Sequence, residues 1–247
     1  MTASGISHEN TLLRLIMAVK AVMRVLSGGK GGQLNRDTFL GKKIYQLSGI
    51  KEFRNFVEIG TWNGQGSTKC FMDAILFRND NSCLYSIESN KTFHKMAKKY
   101  WRPVLSVPKG KSKIRLIYGR IIEMAELFTC EQIPEEISAD LVNYRRWREE
   151  DLSNYAQSPN VIDRLPEGID VLLLDGGEFS TYAEFQKLKE RTGVVLLDDT
   201  KSMKCKDIRK ELLQDKMWRV VYDLPEEKNG LCIAYRRDYY DYLKDKI

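Results

Sequence analysis

Five short apolar runs, each stopped by a glycine or an acid, constrain this chain more than any other feature. Asn55-Phe-Val-Glu-Ile59 runs into Gly60, Cys83-Leu-Tyr-Ser-Ile87 into Glu88, and Ile114-Arg-Leu-Ile-Tyr118 into Gly119. Ile169-Asp-Val-Leu-Leu-Leu174 stops at Asp175, and Val194-Val-Leu-Leu197 stops at Asp198-Asp199. Runs of this length without polar alternation predict strands buried on both faces, the mark of a parallel sheet covered by helices. Helical stretches fill the intervals: Asp37–Leu47 is one, and Lys91–Trp101 sets Phe93, Met96, Ala97 and Tyr100 on one face. Late in the chain, Trp218–Asp223 and Leu231–Tyr235 flank a polar loop holding Asn229-Gly230. They predict a closing antiparallel pair.

A chain of 247 residues suits one α/β domain with decorations. Residues 1–36 are assigned to an N-terminal helix and Gly-rich loop, and 37–247 to the domain. An insertion at about 131–166 breaks the strand–helix alternation and contains a helical stretch, Asn143–Glu150. That insertion can cover the sheet's C-terminal edge, with Tyr144, Arg145, Arg146, Trp147 and Arg148 as candidate contacts to an acceptor; a packing decoration is the plainer alternative. The run Leu12–Leu26 is interrupted by Arg14, Lys20 and Arg24, so no transmembrane segment is expected there. Five cysteines without a CxxC pair argue against a disulfide scaffold and for a reducing compartment, the cytoplasm. Two histidines leave little material for a His-rich metal site or a Ser-His-Asp triad. The net charge of +6 is spread along the chain, which argues against a nucleic-acid partner.

In open parallel sheets, ligands bind beyond the carboxyl ends of the strands. This chain places Gly60, Glu88, Gly119, Asp175 and Asp198-Asp199 at five such ends. A single acid there is commonly a cap or turn residue; five ends on one edge are harder to read that way. The first loop runs Gly60-Thr-Trp-Asn-Gly-Gln-Gly-Ser67. A dinucleotide fingerprint would need glycine at Trp62 and Gln65, and no G-K-[ST] ending follows. Gly64 and Gly66 are expected to let the backbone approach a ligand. A helix opening near Ser67 can hold a carboxylate, and Glu88 can accept hydrogen bonds from both hydroxyls of a ribose.

Val57-Glu-Ile-Gly-Thr-Trp-Asn-Gly-Gln-Gly-Ser67, with Ser86-Ile-Glu88, resembles motif I and the ribose acid of class I S-adenosylmethionine-dependent methyltransferases. The element order matches over roughly residues 37–237. The resemblance implies a Rossmann-like doubly wound α/β sheet, mainly parallel with a C-terminal antiparallel strand pair. It implies S-adenosylmethionine as cofactor, with Glu58, Gly60, Thr61, Trp62, Asn63, Gly64, Gly66, Ser67, Glu88, Gly119, Arg120 and Asp175 as its binding residues. Leu174-Asp-Gly-Gly-Glu178 with Leu197-Asp-Asp-Thr200 resembles the metal-dependent O-methyltransferases that modify sugars in macrolide and aminocoumarin antibiotics. That resemblance implies magnesium on Asp175, Asp198 and Asp199. The family's second motif aspartate, its proposed general base, is Gly177 here, which leaves Asp175 and the adjacent Glu178 as catalytic candidates. Three carboxylates without histidine suit a hard cation, which would stabilise an alkoxide and orient vicinal hydroxyls. The expected function is methyl transfer to a hydroxyl of a sugar or other small polyol, and an oligomer is compatible with it. Two alternatives stay open: a nucleic-acid methyltransferase, and a binding module that keeps the fold without the chemistry. No Asn-Pro-Pro-Tyr motif or catalytic cysteine pair supports the former, and Gly177 is the main support for the latter.

Overall fold

The computed structural model describes residues 34–106, 113–133 and 141–244. The expected helix at Leu12–Leu26, its Gly-rich loop and residues 134–140 of the insertion lie outside the described residues.

Every apolar run forms a strand: β1 Asn55–Ile59, β2 Cys83–Glu88, β3 Ile114–Tyr118, β4 Ile169–Leu174 and β5 Thr192–Asp198. The late pair follows as β6 Trp218–Leu224 and β7 Leu231–Arg236. They make one sheet in the order β3-β2-β1-β4-β5-β7-β6. The first five are parallel; β7 runs antiparallel to both β5 and β6. The fold is the Rossmann-like α/β class expected.

Alternation within the strands divides the core in two, because successive side chains point to opposite faces. Val57, Leu172, Leu174, Val195 and Leu197 enter one apolar cluster; Phe56, Val171, Leu173, Val194 and Leu196 enter the other. Helices α1 (Phe39–Gly49) and α2 (Ser67–Ile75) cover the second face through Leu40, Ile44, Leu47, Phe71, Met72 and Ile75. Thr38 caps α1, its side chain accepting from Gly41 N. Next come α3 (Lys91–Tyr100), capped by Asn90, and the short α4 (Arg102–Leu105), with Trp101 between them fully buried. The first face is covered by α5 (Leu141–Gln157), α6 (Thr181–Leu188) and α7 (Lys206–Gln214). Helix α8 (Arg237–Leu243) follows β7 directly.

Strand β1 lies between β2 and β4, so the chain leaves it in one direction and later returns on its other side. That reversal is the switch point of a doubly wound sheet, where the loops after β1 and β4 diverge and leave a crevice.

Candidate active site

The crevice is a cleft of about 420 Å³ at the carboxyl ends of the strands. Its floor is set where β1 meets β4. Asp175 N donates to Ile59 O at 3.0 Å, and Gly60 N donates to Ile87 O at 3.0 Å. Gly60 has φ +96°, and a Cβ there would fall 2.1 Å from the Asp175 carbonyl oxygen. Only glycine fits both the dihedral and the space. The loop then turns through Trp62, whose φ of +49° is in the left-handed region. A non-glycine residue there costs about 1–3 kcal/mol and persists where surroundings hold it; here Trp62 N is held by the Glu88 carboxylate at 2.7 Å.

Gly64 has a different role from the one expected. Its φ is +76°, and a Cβ would lie 2.8 Å from Trp101 Nε1, which donates to Gly64 O at 2.8 Å. Gly64 makes room for an indole that pins the loop from behind, rather than for a ligand. Asn63 likewise works within the loop, its side chain accepting from Gln65 N at 3.0 Å. Glu58 is sealed beneath, accepting from Thr68 Oγ1 at 2.7 Å and from Ser86 Oγ. Burial pushes its carboxyl up to about 7.

Of the residues expected to touch a cofactor, Gly60, Thr61, Trp62, Gly66 and Ser67 line the cleft on one side. Glu88, Gly119 and Asp175 line it further round. Glu58, Asn63, Gly64 and Arg120 are not among its lining residues. Glu88 accepts from Asn90 N at 2.8 Å as well as from Trp62 N, and burial pushes its carboxyl up to about 7. Each of its oxygens keeps acceptor capacity for a ligand. The Arg120 guanidinium faces elsewhere, bonding Ser158 O and, at 2.9 Å, Glu123.

The three aspartates do converge. One carboxylate oxygen from each of Asp175, Asp198 and Asp199 lies within 4.8 Å of the others, and all three line the cleft. Asp199 sits at φ +61°, a conformation that Asp tolerates better than most residues. A cation that the sequence did not announce already reaches them. Lys204 is 4% exposed, and its Nζ donates to Asp175 Oδ1 at 2.7 Å and Asp199 Oδ2 at 2.6 Å. Burial favours a neutral amine there, but the two carboxylates outweigh it and hold the ammonium charged. Among the described residues Asp198 has no such partner; burial, then the Asp175 charge, pushes it up to about 7. Glu178 is not among the cleft's lining residues: it accepts from Ser202 Oγ at 3.1 Å and Lys204 N at 3.0 Å, fastening the turn that carries Lys204.

Helix α5 does reach the cleft, though with residues that follow the expected contacts along the helix. Tyr144 and Trp147 pack on each other at 5.1 Å between ring centroids, and Tyr144 meets Phe179 at 6.3 Å. Arg148 donates to Phe128 O at 3.1 Å, and Arg146 pairs with Glu150 on the surface. The residues that line the cleft are Glu150, Asp151, Asn154 and Tyr155. Tyr144, Trp147, Asp151 and Tyr155 are spaced 3, 4 and 4 residues apart, one helical face. An acid within an apolar stripe was the available signal. Tyr155 OH donates to Glu184 Oε1 at 2.6 Å, and burial pushes Glu184 up to about 7. Asp151 approaches Gly177: a Cβ on that glycine would lie 2.5 Å from Asp151 Oδ2 and 2.7 Å from Oδ1.

No protein-family model and no curated protein matches the chain. Solved structures share its fold. It is similar to the O-methyltransferase from Bacillus cereus in complex with SAH, at 13% identity and a TM-score of 0.53, over 90% of this chain and 91% of that one. The SAH-bound methyltransferase PaMTH1 from Podospora anserina matches at 10% identity and a TM-score of 0.52, over 96% and 98%. The O-methyltransferase TomG from Streptomyces achromogenes, involved in tomaymycin synthesis and in complex with SAM, matches at 14% and 0.50, over 90% and 89%. At these identities the likeness is one of fold.

Proposed function

We propose that this chain transfers the methyl group of S-adenosylmethionine to a hydroxyl of a small acceptor, a sugar or another polyol. One observation carries the reading: the Gly60–Ser67 loop, Glu88 and the aspartate trio border a single cleft at the switch point of the sheet. The SAM- and SAH-bound O-methyltransferases of the same fold support the cofactor and the type of acceptor atom. Gly66 and Ser67, at the start of α2, offer free N–H groups for the methionyl carboxylate. Glu88 suits the ribose hydroxyls. Across the cleft the wall is lined by Glu150, Asp151, Asn154 and Tyr155, two of them acids. Such a wall favours a ligand rich in hydroxyl donors and repels a phosphodiester, which weighs against nucleic acid. The step itself depends on positioning an oxygen in line with the methyl group.

A divalent metal is a second element of the proposal. Three carboxylates with this spacing are a hard-cation donor set, so Asp175, Asp198 and Asp199 would hold magnesium. Bound there, it would lower the cost of an acceptor alkoxide. Lys204 contests the same oxygens, and supplies a positive charge of its own to Asp175 and Asp199.

The test begins with binding. S-adenosylhomocysteine at a hundredfold excess over Kd should stabilise the fold by about 2.7 kcal/mol. No shift in melting temperature, or a shift with NAD instead, ends the cofactor assignment. Labelled S-adenosylmethionine is then offered with methyl glycosides, catechol, RNA and a deproteinised cell extract. Label in a glycoside or polyol is the expected result, label in RNA favours the nucleic-acid alternative, and binding without any transfer leaves a ligand-binding module. Loss of transfer in chelator, with recovery in magnesium, is the result expected of the metal; full activity in chelator removes it.

A further inference from the structure

Asp151 stands on a helix that the sheet does not require. Asp151 lines the cleft, and the one hydrogen bond described for its carboxylate is a long one, from Phe179 N at 3.4 Å. A carboxylate so placed keeps most of its acceptor capacity for whatever enters the cleft. It lies over Gly177, two residues beyond Asp175, in the space a side chain at position 177 would fill. Glu178, the nearer candidate in sequence, has both oxygens engaged by Ser202 and Lys204.

Resting on the methyl-transfer reading, we infer that Asp151 is the general base of this site, supplied from helix α5 to the place left open by Gly177. As the acceptor oxygen forms its bond to the methyl carbon, the S–CH3 bond breaks and its electron pair stays on sulfur, which becomes a neutral thioether. The hydroxyl proton passes to the Asp151 carboxylate and from there to solvent once product leaves. Burial, the largest influence, and the neighbouring Glu178 and Glu150 raise this carboxyl to about 6, near the range where a base works best at neutral pH. The titratable groups around it are Glu150 and Tyr155 on its own helix, Glu178 after β4, Glu184 on α6 and Glu88 at the end of β2. The arrangement also accounts for Gly177: a side chain there would compete with the Asp151 carboxylate for the same space.

Asp151→Asn keeps the shape and removes the base. Its kcat should fall by ~10²–10⁴, with S-adenosylhomocysteine affinity close to that of wild type. The rising limb of the pH profile near 6 should be abolished. A second variant separates chemistry from packing. Gly177→Asp placed in Asp151→Ala returns a carboxylate to the same space from the other element, and should recover about tenfold or more of the lost rate. Asp151→Asn that turns over within about threefold of wild type with the same pH limb overturns the inference. So does a loss confined to cofactor affinity, which would make Asp151 a cofactor ligand. Both outcomes leave methyl transfer by the wild-type chain intact. A wild-type chain that neither binds S-adenosylhomocysteine nor methylates any acceptor removes the methyl-transfer reading and the base with it.

Discussion

The two ends of the sheet use acidic side chains in opposite ways. At the amino ends, Asp80 is bound by Arg78 at 2.8 Å, by Ser82 N at 2.9 Å and, more loosely, by Arg54 at 3.4 Å. Burial works against its charge, but hydrogen bonds from Ser82 and Arg78 hold the carboxyl well below the usual range. Asp170 accepts from Arg54 N, Asn55 N and Tyr239 OH at 2.7, 2.8 and 3.1 Å. At the carboxyl ends, Glu88, Asp151, Glu184 and Asp198 line the cleft without a described ion pair, and burial pushes each up to about 6 or 7. Satisfied acids stabilise a fold; acids left short of partners mark the end where a ligand is expected to complete them.

The sharpest way to break this contrast is Lys204, which pairs with two acids at the open end. Lys204→Met leaves Asp175 and Asp199 facing each other without a cation, and should cost about 3–5 kcal/mol in chelator by denaturant unfolding. If the trio can hold a metal, millimolar magnesium restores most of that loss. A variant as stable as wild type in chelator would mean that the ion pair contributes little.

Asp151→Asn should act in the other direction. Its folded-state carboxyl is raised from 3.8 to about 6, so between those values the folded state binds more protons than the unfolded state. Wild-type stability therefore falls as pH rises from about 4 to 6, by at most about 3 kcal/mol. The variant should escape that fall and be more stable at pH 8, with no difference below pH 4. A variant destabilised at pH 8 contradicts the contrast.

Arg78→Ala tests the closed end. Its guanidinium binds Ser48 O at 2.7 Å and Phe53 O besides Asp80, and its loss should cost about 2 kcal/mol. The Kd for S-adenosylhomocysteine, measured well below the melting temperature, should not change. Trp62→Gly carries the smallest effect. It relieves a left-handed tryptophan but frees the unfolded chain, so stability should move by less than about 1 kcal/mol. Cofactor affinity should nevertheless weaken, because Trp62 lines the cleft and its ring meets Phe93 at 6.3 Å.

Sequence alone determined the sheet and the edge that carries the cleft. Strands such as Ile169–Leu174 are apolar on both faces, and that local pattern permits few environments other than a covered parallel sheet. The turn residues after them, from Gly60 to Asp199, then had to share one edge. Helix α5 was legible as a helix, but its contacts were not: Tyr144 and Trp147 are as suited to a core as to a ligand, and burial chose the core. The roles of Lys204, Glu178, Gly64 and Gly177 were decided only by tertiary structure. Lys204 meets Asp175 across 29 positions, Gly64 meets Trp101 across 37, and Gly177 meets Asp151 across an entire strand and the loops around it. Periodicity reports which face of an element is buried; it carries no information about which distant side chain arrives there, because that depends on how separate elements pack.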